Sequence, residues 1–255
     1  MIMNEISFLT QFLFIANKLN SSVLIITKEF ASTVNEEQTL FITVGQKDIP
    51  ITSFESLATR DRISTLFQRI TMFENSAITF KTTDTGEVED INISSKRNKI
   101  NFKCMKKAIV LGQEKSFKDI AQGTRPRPPK KITAPHHCKI TMTPEEFANF
   151  EQLAKTIDTE LLLLNSDDVV SIILASDTTG EKGKIELEND AMLLANNTGT
   201  IFAYRYNLKE FIKTFKSFFE TKSENIEFVV CSNGFLTFVI DGVFNITMVP
   251  RKVIS

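Results

Sequence analysis

Three lysines close to the end of the chain have the spacing that places side chains on one face of an α-helix. Lys209, Lys213 and Lys216 are four and three residues apart, and the apolar residues of the same segment fall on a different face. Hydrated lysine side chains make weak, exchangeable contacts with phosphate groups, mainly by releasing counterions. The segment therefore predicts an amphipathic helix with one apolar face and one face that could attract phosphates. The predicted apolar stripe consists of Leu208, Phe211, Ile212, Phe215 and Phe219.

Residues that could bind a metal ion or act as a nucleophile do not occur in the patterns that such chemistry needs. The only histidines, His136 and His137, adjoin Cys138, whereas Cys104 and Cys231 offer no further ligands at conventional zinc spacing. A pair of surface histidines at the start of a strand is therefore favoured over a zinc site. A serine or cysteine nucleophile would have to use one of these histidines, and no motif places them together.

Phosphate-binding loops and catalytic acid pairs are not indicated either. The stretch GEKGK at 180–184 lacks the spacing of a phosphate-binding loop. The acidic pairs at 145–146 and 167–168 lie at a predicted helix start and a predicted turn, where acidic side chains have structural roles. We therefore predict no enzymatic activity, no cofactor and no bound metal.

The composition limits the kinds of protein that the chain can be. Its 255 residues carry a net charge of −1, so any basic surface must arise from segregation of charge and not from a basic excess. The length and apolar content suit one large domain or two of ordinary size. Three widely spaced cysteines fit a reducing compartment. The N-terminal apolar patch at 12–16 is too short to cross a bilayer, so we expect a soluble, cytoplasmic protein with no membrane partner.

The first half of the chain predicts two helices and a series of strands. One apolar helical stripe occupies 6–19, and a second ends at residue 70 and begins near residue 53 or near residue 61. Arg62 and Arg69 are seven residues apart and lie on another face than the second stripe. Strands are predicted at 23–27, 39–44, 77–81, 88–93 and 100–104, and the stretch 106–111 is interpreted as one more strand.

The composition changes between residues 123 and 135. Four of the seven prolines lie in this stretch, at 126, 128, 129 and 135, and it has no apolar periodicity. Because proline removes a backbone donor and favours extended backbone, we predict a stiff, exposed linker. Its four basic side chains invite a nucleic-acid interpretation, but blocks of like charge are usually only solvated, which favours the linker. The predicted domains are therefore residues 1–122 and 136–255.

The pattern of helices and strands starts again after the linker. Thr143 is predicted to cap a helix that has Pro144 and two acidic residues in its first turn. The lysine-bearing helix follows later, and Asp241-Gly242 predicts a hairpin turn. The order helix, strands, helix, strands thus occurs twice, without repetition of residue identity. Strands are predicted at 137–142, 161–165, 169–176, 184–188, 201–206, 226–231, 235–240 and 243–249.

Two stretches of the second half resemble segments of a known family. GVFNITMVPRK at 242–252 is similar to the last strand of the DNA sliding clamps, the processivity factors of DNA polymerases, which ends in an apolar residue and a proline before a short tail. LASDTTG at 174–180 resembles the strand-to-loop segment of clamp domains. The order of elements is similar to the trimeric type, nearest to the tailed-phage clamps, which implies the host cytoplasm if the chain is phage-encoded. The resemblance implies an α+β DNA-clamp fold: two similar domains, each with two helices packed on antiparallel sheets, that form a ring.

The resemblance also implies a function without catalysis. A homotrimeric ring would encircle double-stranded DNA, tether the replicative DNA polymerase as a processivity factor and be placed on DNA by a clamp loader. Basic side chains on helices suit the inner wall because they reach phosphates without reading the sequence. By the same resemblance, Val249 and Pro250 match the wall of the family's pocket for partner peptides. The candidates for the DNA-binding inner wall are Lys18, Arg62, Arg69, Lys155, Lys209, Lys213 and Lys216.

Two other classes of protein remain as alternatives. A monomeric polymerase accessory subunit of the same fold would hold duplex DNA by charge instead of encirclement. Such a protein usually needs a strong basic excess, and the net charge of −1 argues against it. A β-rich viral structural protein would not need lysine stripes on its helices. The mass in solution distinguishes the three hypotheses.

Overall fold

The computed structural model of the chain describes residues 4–73, 76–113, 136–166, 170–187, 192–193, 202–219, 226–231 and 234–251. The chain divides into two compact units: the first comprises 1–130 and 241–245, and the second comprises 131–240 and 246–255. The predicted linker at 123–135 lies outside the described residues, and the predicted domain boundaries remain predictions. No helix of the described part is long and apolar enough to cross a membrane.

The first unit contains three α-helices and seven strands among its described residues. Strands β1 to β4 pair antiparallel in the order β3-β2-β1-β4, and a second antiparallel sheet has the order β5-β6-β7. The elements are α1 (Glu5–Lys18), β1 (Ser21–Thr27), β2 (Phe30–Asn35), β3 (Leu40–Gly45), β4 (Ser56–Arg60), α2 (Ile63–Thr71), β5 (Ala77–Thr82), β6 (Val88–Ser94), β7 (Lys99–Lys103) and α3 (Lys107–Gln113).

Helix α1 is capped at its start and buried along one side. The Asn4 side chain accepts a hydrogen bond from the backbone N–H of Ser7 at 2.8 Å, which satisfies a donor of the first turn. Phe8 and Phe12 are fully buried and stack with Phe244 at ring-centroid distances of 5.9 and 6.0 Å. Because α1 also contacts α2, the apolar sides of the two helices share one core in the first unit.

The stretch predicted as a strand at 106–111 lies largely in helix α3, so this prediction was wrong. A short apolar run cannot be assigned to a strand or a buried helix from its periodicity alone. The surrounding structure decides here. The Glu87 side chain accepts a hydrogen bond from the backbone N–H of Lys107 at the start of the helix, and Val110 is fully buried.

Strands β2 and β4 were not predicted because polar side chains interrupt their apolar pattern. Thr33 in β2 and Thr59 in β4 are nevertheless fully buried. The Thr33 hydroxyl donates to the carbonyl of Val23 in β1 at 2.6 Å, which allows a polar residue inside the sheet layer. Of the two predicted starts of the second helix, the later one agrees with α2, which begins at Ile63 directly after β4.

The second unit contains two α-helices and eight strands among its described residues, and also the greater part of a ninth strand, β16, whose first two residues belong to the first unit. One sheet has the order β12-β8-β14-β15-β16, and the other has the order β11-β10-β9-β13. Strand pairs in both sheets are antiparallel, as between β8 and β14 and between β9 and β13. The elements are β8 (His136–Met142), α4 (Pro144–Thr156), β9 (Leu161–Ser166), β10 (Val170–Ala175), β11 (Lys182–Glu186), β12 (Met192–Leu193), β13 (Phe202–Asn207), α5 (Leu208–Phe219), β14 (Ile226–Cys231), β15 (Leu236–Ile240) and β16 (Phe244–Met248).

Helix α4 starts at the capping box that the sequence predicts. The Thr143 hydroxyl accepts a hydrogen bond from the backbone N–H of Glu146 at 3.1 Å. In return, the Glu146 side chain accepts one from the backbone N–H of Thr143 at 2.6 Å. Two donors of the first turn are thereby satisfied, and Pro144 occupies a position where no N–H is needed.

An aromatic cluster joins α5 to α4 and to the sheet below. Phe215 is fully buried, stacks on Phe211 at 4.2 Å and meets Phe228 of β14 edge-on at 5.2 Å. Its ring also lies 6.3 Å from that of Phe147 on α4 and 5.5 Å from that of Phe238 on β15. One residue therefore contacts the second helix and two strands, which makes it the centre of this core.

The buried stripe of α5 differs slightly from the predicted one. Thr214 and Phe218 are buried, whereas Ile212 and Phe219, which were predicted to be buried, are half-buried. The core face follows the spacing of 208, 211, 215 and 218, and the helix is rotated accordingly. Each unit thus has two helices in mutual contact and two sheets, as the predicted α+β class requires.

Replacing Phe215 with alanine should lower the free energy of unfolding by about 3–5 kcal/mol, because a buried phenylalanine and its ring contacts are removed. Phe219→Ala is the matched control on the same helix, and its half-buried ring should cost clearly less. Urea unfolding followed by far-ultraviolet circular dichroism measures both changes. Equal losses for the two variants would contradict the assignment of Phe215 as the centre of the core.

Candidate nucleic-acid interface and partner cavity

The three lysines of α5 lie on the side of the helix away from the aromatic cluster. Lys209 and Lys216 are exposed and Lys213 is half-buried, whereas Phe211 and Phe215 are fully buried. The buried rings fix the rotation of the helix about its axis. The lysines are consequently held on its outer side, where they can reach an anionic ligand.

An acidic residue that the sequence analysis did not consider lies among these basic groups. Glu151 on α4 has a carboxylate oxygen 3.0 Å from Nζ of Lys216 on α5 and 3.9 Å from Nζ of Lys155 on its own helix. Two of the predicted inner-wall residues, Lys155 and Lys216, therefore come together around one carboxylate. The i, i+4 spacing of Glu151 and Lys155 was a signal in the sequence for half of this arrangement.

Lys18 ends helix α1, where its charge interacts favourably with the helix dipole. Its Nζ lies 5.7 Å from the centroid of the Phe14 ring, within the range of a cation–π contact. Phe14 in turn contacts Phe67 of α2, with 5.9 Å between the ring centroids. This lysine therefore belongs to a partly aromatic surface of the first unit and not to a purely basic stripe.

Arg62 and Arg69 lie together, as their spacing of seven residues predicts, but both are held against strand β7. The guanidinium of Arg62 lies 4.5 Å above the Phe102 ring, and that of Arg69 lies 5.7 Å above it. Nη1 of Arg62 donates to the carbonyl of Lys103 at 3.2 Å, and Nη1 of Arg69 donates to the carbonyl of Asn101 at 2.8 Å. Their positions are fixed by the sheet, which the sequence could not indicate.

The C-terminal segment after β16 packs onto a glycine with a special backbone conformation. Gly234 has a φ of +79°, and an added Cβ would lie 2.6 Å from Tyr204 Cδ1 and 2.9 Å from Pro250 Cγ. Glycine alone fits this position without strain. The Tyr206 hydroxyl donates to the carbonyl of Gly234 at 2.6 Å, and Val249 and Pro250 are half-buried. The two residues predicted to form a pocket wall therefore adjoin a rigid aromatic support.

A cavity of about 410 Å³ lies in the second unit beside Arg251, the residue directly after Pro250. The backbone N–H of Arg251 donates to the carbonyl of Arg205 at 2.8 Å, and its guanidinium lies 3.7 Å from the Glu160 carboxylate. Leucines of β9 supply apolar surface, and arginine and acidic side chains supply charge. The lining residues are Asp158, Thr159, Glu160, Leu161, Leu162, Leu163, Ile173, Ala175, Asp177, Thr178, Arg205 and Arg251. Sequence reasoning missed this cavity.

Burial shifts the protonation of three groups near these surfaces. Desolvation, together with the charge of Asp90, raises the pKa of Cys104 to about 12, although the charge of Arg62 acts in the opposite direction. A thiol with such a pKa stays protonated near neutral pH and is a weak nucleophile. Desolvation also raises the pKa of Tyr204 and of Cys231.

Metal ligands do not converge in the described part of the chain, where no group of three His, Cys, Asp or Glu side chains could hold an ion. The side chains of His136, His137 and Cys138, which the sequence analysis considered, lie outside this description.

No protein-family model matches the sequence, and no curated protein matches it either. Its fold, in contrast, is similar to solved sliding clamps. The PCNA of A. fulgidus, in a structure with the C-terminal region of FEN-1, superposes with a TM-score of 0.61 at 10% identity, covering 99% of this chain and 98% of that chain. The β subunit of DNA polymerase III from Thermotoga maritima gives 0.65 at 13% identity, covering 98% of this chain and 64% of that chain. The chain therefore has the sliding-clamp fold, which confirms the predicted fold class.

Proposed function

We propose that the chain is a DNA sliding clamp: three copies form a ring around duplex DNA and tether the replicative polymerase. The observation that carries this proposal is the agreement of fold with a PCNA over nearly the whole length of both chains. A monomeric accessory subunit would need a basic excess, and the net charge of −1 does not supply one. The proposed role is mechanical and requires no catalytic group.

The helices supply the contacts with DNA in this proposal. Lys209 and Lys213 on α5 lie opposite the aromatic core, so they can contact phosphates while the fold stays unchanged. Lys18, Lys155 and Lys216 add charge, and Glu151 reduces it locally. A ring that must slide gains from this balance, because a contact that holds one phosphate tightly would oppose movement. Retention on DNA then comes from encirclement, and sequence is not read.

The sheets supply the means of closing the ring. In the first unit β7 ends its sheet, and in the second unit β11 ends the sheet β11-β10-β9-β13. Both strands have mostly exposed side chains at alternate positions. Unpaired strand edges are prone to uncontrolled pairing, and cyclic closure of three copies would cover both edges of every copy.

The cavity beside Arg251 is proposed to receive peptide segments of the polymerase and of the clamp loader. The A. fulgidus neighbour is seen with the C-terminal region of FEN-1, which is a precedent for a short terminal segment as partner. The volume of the cavity in this chain falls in the range of ligand pockets, roughly 300–1,000 Å³. Leu161 and Leu163 could contact an apolar side chain of the peptide, while Arg205 and Arg251 could bind an acidic group. Val249 and Pro250 would form the adjoining wall.

Native mass spectrometry should find an assembly of three chains of 28.9 kDa each. The reason is that the edge strands β7 and β11 of each copy could pair with neighbouring copies, and cyclic closure pairs both of them. A concentration series by light scattering separates a weak trimer from a monomer. A stable monomer at tens of micromolar would contradict the ring, and larger assemblies would favour a structural protein.

Alanine at Lys209, Lys213 and Lys216 together should shorten retention on circular duplex after loading, with the largest difference from the wild type at low salt. Each lost phosphate contact should lower the salt dependence of binding by about 0.9 in the log–log slope. Glu151→Gln should act in the opposite direction, because it removes the acid between Lys155 and Lys216. The decisive measurement is loader-dependent retention on circular against linear duplex across a salt series.

The matched control for this charge change is a triple variant at other exposed lysines, Lys47, Lys96 and Lys106, changed to alanine. It removes the same charge without touching α5. All variants should fold normally, because surface substitutions usually change stability by about 0.5 kcal/mol or less each. If both triple variants behave alike, the effect is one of net charge only, and α5 is not part of the inner wall.

Val249→Asp and Pro250→Asp should weaken binding of the polymerase's terminal peptide by about tenfold or more, as loss of a central apolar contact does in other interfaces. Leu163→Asp should have the same effect if the peptide enters the cavity of the second unit. Val239→Asp is the matched control, because Val239 is 49% exposed on β15. Isothermal calorimetry measures the affinity and light scattering the trimer. Unchanged affinity in all variants would place the partner site elsewhere.

A further inference from the structure

Strand β7 has an outward edge whose hydrogen-bonding groups can be identified from its neighbours. The backbone N–H of Cys104 donates to Glu89 at the end of β6 at 2.8 Å, so the even-numbered residues of β7 direct their backbone groups toward β6. The carbonyls of Asn101 and Lys103 therefore point away from the sheet. Further along the same edge, the backbone N–H of Met105 donates to the carbonyl of Ala58 at 3.0 Å.

These two outward carbonyls, of Asn101 and Lys103, are the ones that Arg69 and Arg62 bind. The donor–acceptor distances are 3.2 Å for Arg62 to Lys103 and 2.8 Å for Arg69 to Asn101. Both guanidinium groups lie over the Phe102 ring between these carbonyls, and Phe102 is fully buried. Arg62, directly before α2, and Arg69 within α2 thus each place a cationic donor on an outward acceptor of the strand edge.

A strand from another molecule would need the same space and the same acceptors. Paired strands lie about 4.8 Å apart, and a strand at that distance would bond the same carbonyls that the two guanidinium groups bond. Side chains that cover an edge are a known protection against unwanted pairing. Since an arginine stays charged and carries only donors, it can cap a carbonyl at any physiological pH.

We infer that Arg62 and Arg69 are edge-capping arginines: they occupy β7 in the free chain and must leave its carbonyls before a second copy pairs there. The inference rests on the proposed ring. When a second copy pairs with β7, its hydrogen bonds to the two carbonyls replace those of the arginines and are not added to them. This subunit interface is therefore weaker than it would be if the two carbonyls had no partner in the free chain. When the interface opens, stacking on Phe102 keeps both arginines beside the edge, and they cover it again.

The test is the double variant R62M/R69M, in which methionine keeps an apolar chain over Phe102 but has no N–H donor. The dissociation constant for its self-association should be about tenfold lower than that of the wild type. The reason is that the incoming strand no longer has to displace the hydrogen bonds of the two solvent-exposed arginines. K96M/R97M is the matched control: it removes two charges in the exposed turn between β6 and β7 and should leave the constant unchanged. Sedimentation velocity over a dilution series measures all three proteins.

Each outcome decides the point. Tightening in R62M/R69M alone supports edge capping, whereas an unchanged or weakened constant in that variant overturns it and leaves a trimeric wild type intact. Tightening in both variants assigns the effect to net charge and also overturns it. If the wild type is monomeric throughout, the ring proposal fails, and edge capping survives only if R62M/R69M self-associates. If circular dichroism shows that the double variant is misfolded, the single variant R69M takes its place. Self-association of R69M must then be tighter than that of the wild type, or the inference is overturned.

Discussion

The burial of phenylalanine on one side of each helix is the constraint on which the rest of each unit depends. The chain has 22 phenylalanines and no tryptophan, and the helix pairs are held to their sheets by stacked and edge-on rings. Such contacts fix the rotation of a helix because a ring cannot leave the core without a large cost. Once α5 is fixed through Phe211 and Phe215, the position of its lysines follows. The packing of the phenylalanine rings thus determines where the charged groups of α5 lie.

The effect of charge is local, because basic side chains are concentrated on certain surfaces and some of them have an acidic neighbour. The chain is nearly neutral as a whole, and several of its basic side chains near the helices have partners of their own. Lys216 and Lys155 share Glu151, and Arg62 and Arg69 are bonded to backbone carbonyls. The described helices are therefore less basic than a count of lysine and arginine suggests. A moderate field of this kind is compatible with a ligand that must be held and still move.

Long amphipathic patterns could be read from the sequence, and contacts between distant segments could not. The helices α1, α4 and α5 and the strands after the last helix agree with the periodicity, because each buries one face and exposes the other. Strands β2 and β4 carry buried threonines, and α3 depends on Glu87 for its start, so local pattern failed there. The spacing of Arg62 and Arg69 indicated a shared face, but only the fold shows that β7 lies beneath it. The cavity beside Arg251 combines four separate segments, and no local signal exists for such an assembly.

The packing of Phe244 against Phe8 and Phe12 has a consequence for synthesis of the chain. The Gln11 side chain also donates to Asp241, a pair 230 residues apart in sequence. Helix α1 is synthesised long before residues 241–245, which complete its core. Contacts between such distant residues form late and slowly. During translation the apolar surface of α1 is thus left uncovered until residues 241–245 have been synthesised, and a variant without these residues would lose part of the first unit's core.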